Sequence, residues 1–153
     1  MDAERVTRYI DETFDGVRAP EANGDTFFLY DPDGDLPPER QVPFATIVTG
    51  DAYDDSSALD GTDDYRLNIG LTRAGYAAVV GSTPGEVDHA ARDVLMPHPV
   101  YAGLHWVCVV SPSDATFEAV RPLLAEAHAF AARKHANHAR RADVGRGGPH
   151  RAG

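Results

Sequence analysis

The residue types that most often do chemistry are concentrated in residues 95–110, LMPHPVYAGLHWVCVV. This stretch holds His98 and His105 together with the only tryptophan, Trp106, and the only cysteine, Cys108. A histidine beside a cysteine can activate a nucleophile, and converging histidines can ligate a metal ion. A histidine among aromatic side chains can instead line a ligand pocket. Which of these three kinds of site the stretch forms depends on the helices, strands and loops that position its residues.

A cysteine–histidine pair within the stretch is not expected, and no catalytic residue is assigned. Cys108 lies in the apolar run WVCVV, where a cysteine behaves as a small buried hydrophobe. His105 precedes it by three residues, so on a strand the two side chains point to opposite faces. The catalytic alternative that remains is a small enzyme using His98 or His105 as general base near Asn68 and Arg66.

A metal centre is not predicted either, and no cofactor is. The spacing between His98 and His105 matches no common motif, whereas zinc needs three or four converging ligands. Residues 31–35, DPDGD, resemble the start of a calcium loop. That loop needs glycine at its sixth position and glutamate at its twelfth, but Gly34 is fourth and Val42 is twelfth. Residues 31–35 are therefore predicted to form a turn.

The stretch predicts an ordered loop that leads into the central strand, with a candidate ligand pocket at the rim of the sheet. Prolines on both sides of His98 restrict Met96 and His98 to extended conformations, which fixes the position of the imidazole. Tyr101 and Trp106 add aromatic walls with polar groups. The candidate site for an unidentified small molecule comprises Arg66, Asn68, His98, Tyr101, His105 and Trp106. The residues favour a structural role over this pocket, with Trp106 packed beneath the last helix and His98 capping a loop.

Hydrophobic periodicity predicts the elements around this site. Helices are expected over residues 2–14, 72–81 and 82–95, strands over 25–31, 44–50, 65–71 and 104–110, and an acidic surface loop over 51–64. A last helix begins at Ser111 or Ser113, and Pro122 should kink or break it. Because the strands cluster instead of alternating with helices, we predict an α+β fold with one antiparallel sheet of four to five strands and helices packed on one face.

The composition indicates a cytoplasmic protein adapted to high salt. Acidic residues number 24, of which 17 are Asp, and the 14 basic residues include a single Lys. An acidic, lysine-poor surface holds hydration where salt screens ordinary charge effects, as in halophilic archaea. The alternative explanation is a GC-rich genome. The charged N-terminus predicts no signal peptide, no apolar run is long enough to span a membrane, and a monomer or homodimer is expected.

The charge changes sign near the C-terminus. Residues 1–132 carry 8 basic and 23 acidic side chains, whereas residues 133–153 carry 6 basic and 1 acidic. We predict a single domain over residues 1–139 and a disordered Gly/Arg-rich tail over 140–153. A basic tail can contact nucleic acid, which gives a further alternative, a nucleic-acid-binding accessory protein. Nucleic acid is not the expected partner, because the acidic body would repel phosphate.

Five blocks in order resemble a small family of prokaryotic proteins of unknown function. They are GDTFFLYDP, PFATIVT, YRLNIG, LMPHPVYAGLHWVCVVSPSDATF and LLAEAHAFA, and they extend from about Ile10 to His135. More distantly the layout is similar to MmcQ/YjbR-like proteins, with Leu67 and Asn68 in a "Leu-Asn" strand and His105 and Trp106 entering the last strand. This resemblance implies a frataxin-like two-layer sandwich and no established activity. Together these features predict an uncharacterised small-ligand-binding or accessory domain without demonstrated catalysis.

The fold is expected to need salt. A net charge of −15 over residues 1–132 must repel itself at low ionic strength, and salt screens that repulsion. Urea unfolding midpoints measured in low and in molar potassium chloride should therefore differ, with the higher midpoint in molar salt. Equal midpoints would exclude adaptation to salt as the reason for the acidity.

Overall fold

The computed structural model describes residues 1–81 and 86–152, with side chains described as far as residue 142. Its helices are α1 (Ala3–Thr13), α2 (Arg73–Val80) and α3 (Asp114–Ala152). Its strands are β1 (Val17–Arg18), β2 (Glu21–Ala22), β3 (Asp25–Tyr30), β4 (Ala45–Val48), β5 (Arg66–Gly70), β6 (Met96–Pro97) and β7 (Trp106–Val110). Short 3-10 turns occupy Pro38–Arg40 and Ala102–Leu104.

The strands form one sheet in which every described pairing is antiparallel. The order is β1-β3-β4-β5-β7-β6, and β2 also pairs with β3. Strand β5 is central, between β4 and β7. In this register Asn68 lies opposite Thr46 on one side and opposite Cys108 on the other. Because side chains alternate along a strand, this register decides which residues share a face.

The three described helices pack on one face of the sheet, and the main core lies between these helices and that face. Leu67 and Ile69 of β5 are fully buried there beside Val107 and Val109 of β7. They contact the apolar sides of α1 and α3, whose buried residues are Val6, Ile10, Phe117, Val120, Leu124 and Ala127. Helix α1 begins where Asp2 accepts a hydrogen bond from the Arg5 amide at 2.8 Å. The prediction of an α+β fold with helices on one face is confirmed.

The second face of the sheet is covered by loops. A smaller apolar cluster forms there from Val48, Leu59, Met96, Cys108 and Val110. Leu59 belongs to the acidic segment 51–64, which therefore folds back over the sheet. Loops cover only part of this face, so a concave region stays open over β4, β5 and β7.

The predicted strand count of four to five is wrong, since the sheet formed by the described residues has seven strands. Three of them, β1, β2 and β6, are two residues long. A two-residue strand carries no alternation that periodicity could detect. These short strands exist because β3 and β7 present backbone groups that a neighbouring loop can pair with.

The helix predicted over residues 82–95 is also wrong for the part that is described. Residues 82–85 lie outside the described residues, and residues 86–95 form turns and irregular backbone. Tertiary hydrogen bonds hold this segment in place of helical ones. The Arg92 guanidinium donates to the Ser57 carbonyl at 2.7 Å, and the Asp93 amide donates to the Val110 carbonyl at 2.7 Å. Local helix propensity is weak compared with such contacts.

Pro122 does not break α3, which is continuous from Asp114. Pro122 has no amide hydrogen to donate to the Glu118 carbonyl. Because the proline is exposed, this carbonyl lies on the solvent side of the helix. Ser113 precedes the helix and caps its N-terminus, because its hydroxyl accepts from the Thr116 amide at 3.2 Å. The division into a domain over residues 1–139 and a disordered tail over 140–153 stays a prediction.

Gly70 should not tolerate a side chain. A Cβ atom there would lie 2.8 Å from the Cε2 and Cζ2 atoms of Trp106, closer than van der Waals contact permits. Gly70→Ala should therefore displace the indole and lower the free energy of unfolding by about 1–3 kcal/mol. Urea unfolding followed by Trp106 fluorescence measures both effects.

Gly103 offers a matched control for this change, because nothing lies within 4 Å of a Cβ atom added there. Gly103→Ala should alter stability by no more than about 0.5 kcal/mol. If Gly70→Ala and Gly103→Ala gave the same midpoint and the same emission, the close packing of the indole on β5 would be refuted.

Candidate functional site

A cavity of about 330 Å³ occupies the open part of the second face. Its floor is formed by outward-facing side chains of β4 and β5, and its walls come from β3, β7 and three loops. The lining residues are Phe27, Val42, Pro43, Thr46, Val48, Tyr53, Asp54, Arg66, Asn68, His98, Tyr101, Leu104 and Trp106. The cavity combines a polar floor with a mostly apolar and aromatic wall, the composition typical of small-molecule sites.

Arg66 is the centre of the polar floor and is only 2% exposed. Its guanidinium forms a bidentate pair with Asp54, with Nη1 to Oδ1 at 3.0 Å and Nη2 to Oδ2 at 2.7 Å. Nη1 also donates to the Ser57 hydroxyl at 3.1 Å. The hydrogen bonds from Arg66 hold the pKa of Asp54 below its usual value. The buried charge is therefore compensated within the protein, as burial requires.

Asn68 fixes the remaining side of this floor. Its Oδ1 accepts from Arg66 Nε at 2.9 Å, and its Nδ2 donates to the Thr46 hydroxyl at 2.9 Å. Asn68 and Thr46 are register partners on β5 and β4, so their side chains emerge side by side. The chain of hydrogen bonds from Asp54 to Thr46 leaves these groups little freedom to reorient.

His98 is held in one tautomer by its own loop. Its Nδ1 accepts hydrogen bonds from the amides of Val100 and Tyr101, each at 3.0 Å. A backbone amide can only donate, so Nδ1 carries no proton and the neutral ring must carry its proton on Nε2. The backbone amide of His98 donates to the Trp106 carbonyl at 3.0 Å, which continues the pairing of β6 with β7. The flanking prolines thus place the ring beside the floor.

The protonation of His98 follows from its surroundings. Burial, followed by the positive charge of Arg66, lowers its pKa to about 4, although Asp54 opposes this shift. At neutral pH the ring is therefore an uncharged donor through Nε2. Its other nitrogen is already occupied by two amides, so no lone pair is free to accept a proton. The geometry argues against His98 as a general base.

Aromatic side chains form the wall above this floor. The ring centroid of Tyr101 lies 5.0 Å from that of His98, and the Trp106 ring lies 6.5 Å from it. Phe27 and Tyr53 meet edge to face at 6.2 Å. Trp106 is half-buried, since its ring packs on Gly70 and also lines the cavity.

Five of the six candidate residues meet at this cavity, namely Arg66, Asn68, His98, Tyr101 and Trp106. His105 does not. It ends the Ala102–Leu104 turn in a left-handed conformation with φ 71°, and its ring lies 5.7 Å from that of Tyr76 on α2. The prediction assumed that the strand already included position 104, whereas β7 begins at Trp106. A general base at His105 therefore has no access to the cavity.

Sequence reasoning missed Asp54 and Ser57, which complete the polar floor. Both lie in the segment that was predicted as an acidic surface loop. A buried arginine requires a carboxylate partner, so a buried Arg66 would have predicted one. Several aspartates were available, however, and their spacing did not distinguish Asp54 from the others. Cys108 is fully buried beside the floor in the smaller apolar cluster, and burial raises its pKa to about 12, which leaves the thiol inert.

The described part of the chain forms neither a metal-binding cluster nor a membrane-spanning helix. Among its residues no group of three or more His, Cys, Asp or Glu side chains is arranged to hold a metal ion. The Asp31 carboxylate instead caps its turn, accepting from the amides of Asp35 and Leu36 and from Arg18. No described helix has the length and apolar character needed to cross a membrane.

The stability of the protein should depend on the charge state of His98. The unfolded ring binds a proton near pH 6.5, but the folded ring, facing Arg66, Asp54 and His89, binds one only near pH 4. Between these values the unfolded state holds more protons, so stability falls as pH falls, by up to about 3 kcal/mol. Urea unfolding at pH 7 and pH 4.5 measures this loss. The His98→Asn variant, in which Oδ1 can still accept from the loop amides, should lose less stability between these two pH values. An equal loss in the variant and the wild type would contradict the role assigned to His98.

Comparison with known proteins places the chain in a family. Searches against curated proteins and against solved structures each give no match. A family model described as "Family of unknown function (DUF6194)" matches residues 1–141, which include the whole cavity. The resemblance to a domain family of unknown function is thereby confirmed, and the chain belongs to the DUF6194 family.

Proposed function

We propose that this domain binds a small, largely apolar ligand in the cavity on the second face of its sheet and does not transform it. The observation that carries the proposal is the pairing of an aromatic wall with a buried, pre-oriented polar floor around Arg66. An apolar floor would serve stability at least as well, since a buried ion pair is often no better than hydrophobic packing. A binding role supplies a reason for the polar groups to be there.

The absence of reactive groups in the described cavity supports binding over catalysis. The Asp54 carboxylate is fully engaged by Arg66, and the one unprotonated nitrogen of His98 is engaged by two amides. The Cys108 thiol is buried in the smaller apolar cluster beside the floor, where burial raises its pKa. Each candidate nucleophile or base is thus occupied by a structural partner, and nothing among these groups favours a chemical step.

We also propose a fold relationship and a cellular environment for this domain. The antiparallel sheet with helices on one face supports a relationship to the frataxin/YjbR-like sandwiches, which an experimental structure would test by superposition. The acidic composition supports a cytoplasmic protein of a high-salt cell. A nucleic-acid partner would have to be recruited by the basic residues of 133–153, and a filter-binding assay with and without residues 140–153 would detect it.

Filling the cavity should abolish binding of a simple apolar probe. Toluene is a suitable probe, because cavities of about 150 Å³ already accept benzene and this one is larger. Trp106 is the only tryptophan, so its indole N–H gives a single proton signal that reports from the wall. Toluene should shift this signal in the full-length protein, and Thr46→Phe, which places a ring on the floor, should weaken binding at least about tenfold.

Thr13 provides the control, since it is exposed at the end of α1, away from the cavity lining. Thr13→Phe should leave the toluene affinity unchanged. Circular dichroism and melting curves must show that both variants are folded. Equal toluene binding by wild type and Thr46→Phe, or an indole signal that does not respond to toluene, would refute the proposed site.

A further inference from the structure

We infer that the natural ligand is an uncharged molecule that presents a carbonyl oxygen to the N–H groups of Arg66 and His98, with an apolar or aromatic body against the wall. The inference rests on the proposed binding function and names the ligand class that the same cavity would take. Ketones, amides and quinone-like rings share this chemistry.

Two hydrogen-bond donors of the floor, Arg66 Nη2 and His98 Nε2, lie side by side with no acceptor between them among the described residues. Arg66 Nη2 lies 3.5 Å from His98 Nε2, and one N–H of Nη2 is already used by Asp54. Because Nδ1 of His98 accepts two amides, its Nε2 is a donor, so these two nitrogens cannot satisfy each other. Among the described residues no other acceptor lies within hydrogen-bonding distance of Nε2.

The second step is that both donors are buried and both line the cavity. Arg66 is 2% exposed and His98 is 4% exposed. A buried donor without a partner is costly, so an oxygen atom seated beside both nitrogens would be bound with an advantage that an apolar group lacks. A carbonyl oxygen has two lone pairs and can accept from both.

The third step concerns the charge of the ligand. The Arg66 charge is neutralised by the bidentate Asp54 carboxylate, and His98 is neutral at physiological pH. The floor therefore offers no net positive charge to an incoming anion, and Asp54 would repel one at close range. Burial of a carboxylate ligand would not be compensated, whereas a neutral carbonyl has little charge to desolvate.

The fourth step concerns the rest of the ligand. Phe27, Tyr53, Tyr101 and Trp106 surround the floor with ring faces and edges, and Val42 and Leu104 extend the apolar rim. Aromatic side chains favour contact with other flat apolar groups. A ligand with its polar atom at one end and an apolar body at the other matches this division of the cavity.

Three compounds with the same number of heavy atoms isolate the oxygen and its charge. Acetophenone carries the carbonyl, α-methylstyrene replaces its oxygen with a methylene group, and benzoate replaces its methyl group with a charged oxygen. Each is titrated into the full-length protein at pH 7.5 in molar potassium chloride, with the Trp106 indole N–H signal as readout. Acetophenone should bind about tenfold tighter than α-methylstyrene, and benzoate should bind at least about tenfold more weakly than acetophenone.

His98→Asn tests the second donor without removing the loop contacts. Asparagine can accept the Val100 and Tyr101 amides through Oδ1 but has no group at the position of Nε2. In this variant the preference for acetophenone over α-methylstyrene should fall to about threefold or less. The affinity for α-methylstyrene should stay within about twofold, which a general loss of structure would not produce.

The outcomes separate the two proposals. Equal affinity for acetophenone and α-methylstyrene would overturn the carbonyl inference and leave apolar binding in place. Tightest binding of benzoate would overturn the uncharged class and identify an anion site. An unchanged preference in His98→Asn would remove His98 from recognition. An indole signal that responds to none of the three compounds and not to toluene would overturn the proposed function itself.

Discussion

The burial of the Arg66 guanidinium on the central strand is the constraint from which the second face of the sheet is built. A fixed cation between β4 and β7 cannot be left without a carboxylate, since an unpaired buried charge would cost several kcal/mol. Asp54 meets this need only if segment 51–64 folds back over the sheet. That same fold delivers Leu59 to the small apolar cluster and Ser57 to the guanidinium. One electrostatic requirement therefore shapes the loop that borders the cavity.

The opposite border of the cavity depends on the backbone. His98 lies between two prolines, which cannot donate backbone hydrogen bonds, so its amide is the one available donor of residues 97–99 and pairs with the Trp106 carbonyl. The chain then turns, and two amides point back at Nδ1. The ring is thereby fixed in position and in tautomer by groups of its own loop. Pre-orientation of this kind reduces the free energy lost on binding a ligand.

The sequence predicts the parts of this structure that follow from periodicity and fails where tertiary contacts decide. The four longer strands are alternating, aromatic-rich or continuously apolar, and helix α1 carries a helical apolar pattern. These elements and α2 were placed correctly within a few residues. The candidate cavity residues on β5 and in the His98 loop also come together, because strand alternation and proline geometry are local rules. His105 was misplaced because a left-handed residue at a turn end carries no sequence signal when it is not glycine. Asp54 was missed because the path of segment 51–64 over the sheet is determined by its tertiary contacts and not by its local sequence.

Salt screens the charges of the exposed carboxylates strongly, but it has little effect on the charges of the buried floor. Exposed carboxylates repel one another, and at molar salt the Debye length falls to about 3 Å, so most of that repulsion is screened. The Arg66–Asp54 pair is largely outside the reach of this screening, because the two side chains are only 3% and 13% exposed. Salt can thus relieve the surface without weakening the interaction that organises the cavity. A neutral ligand held by buried hydrogen bonds and apolar contact is likewise little affected by screening, whereas recognition by exposed charges would weaken as the salt concentration rises. Recognition of the uncharged ligand class inferred for this cavity would therefore stay effective at high salt concentration.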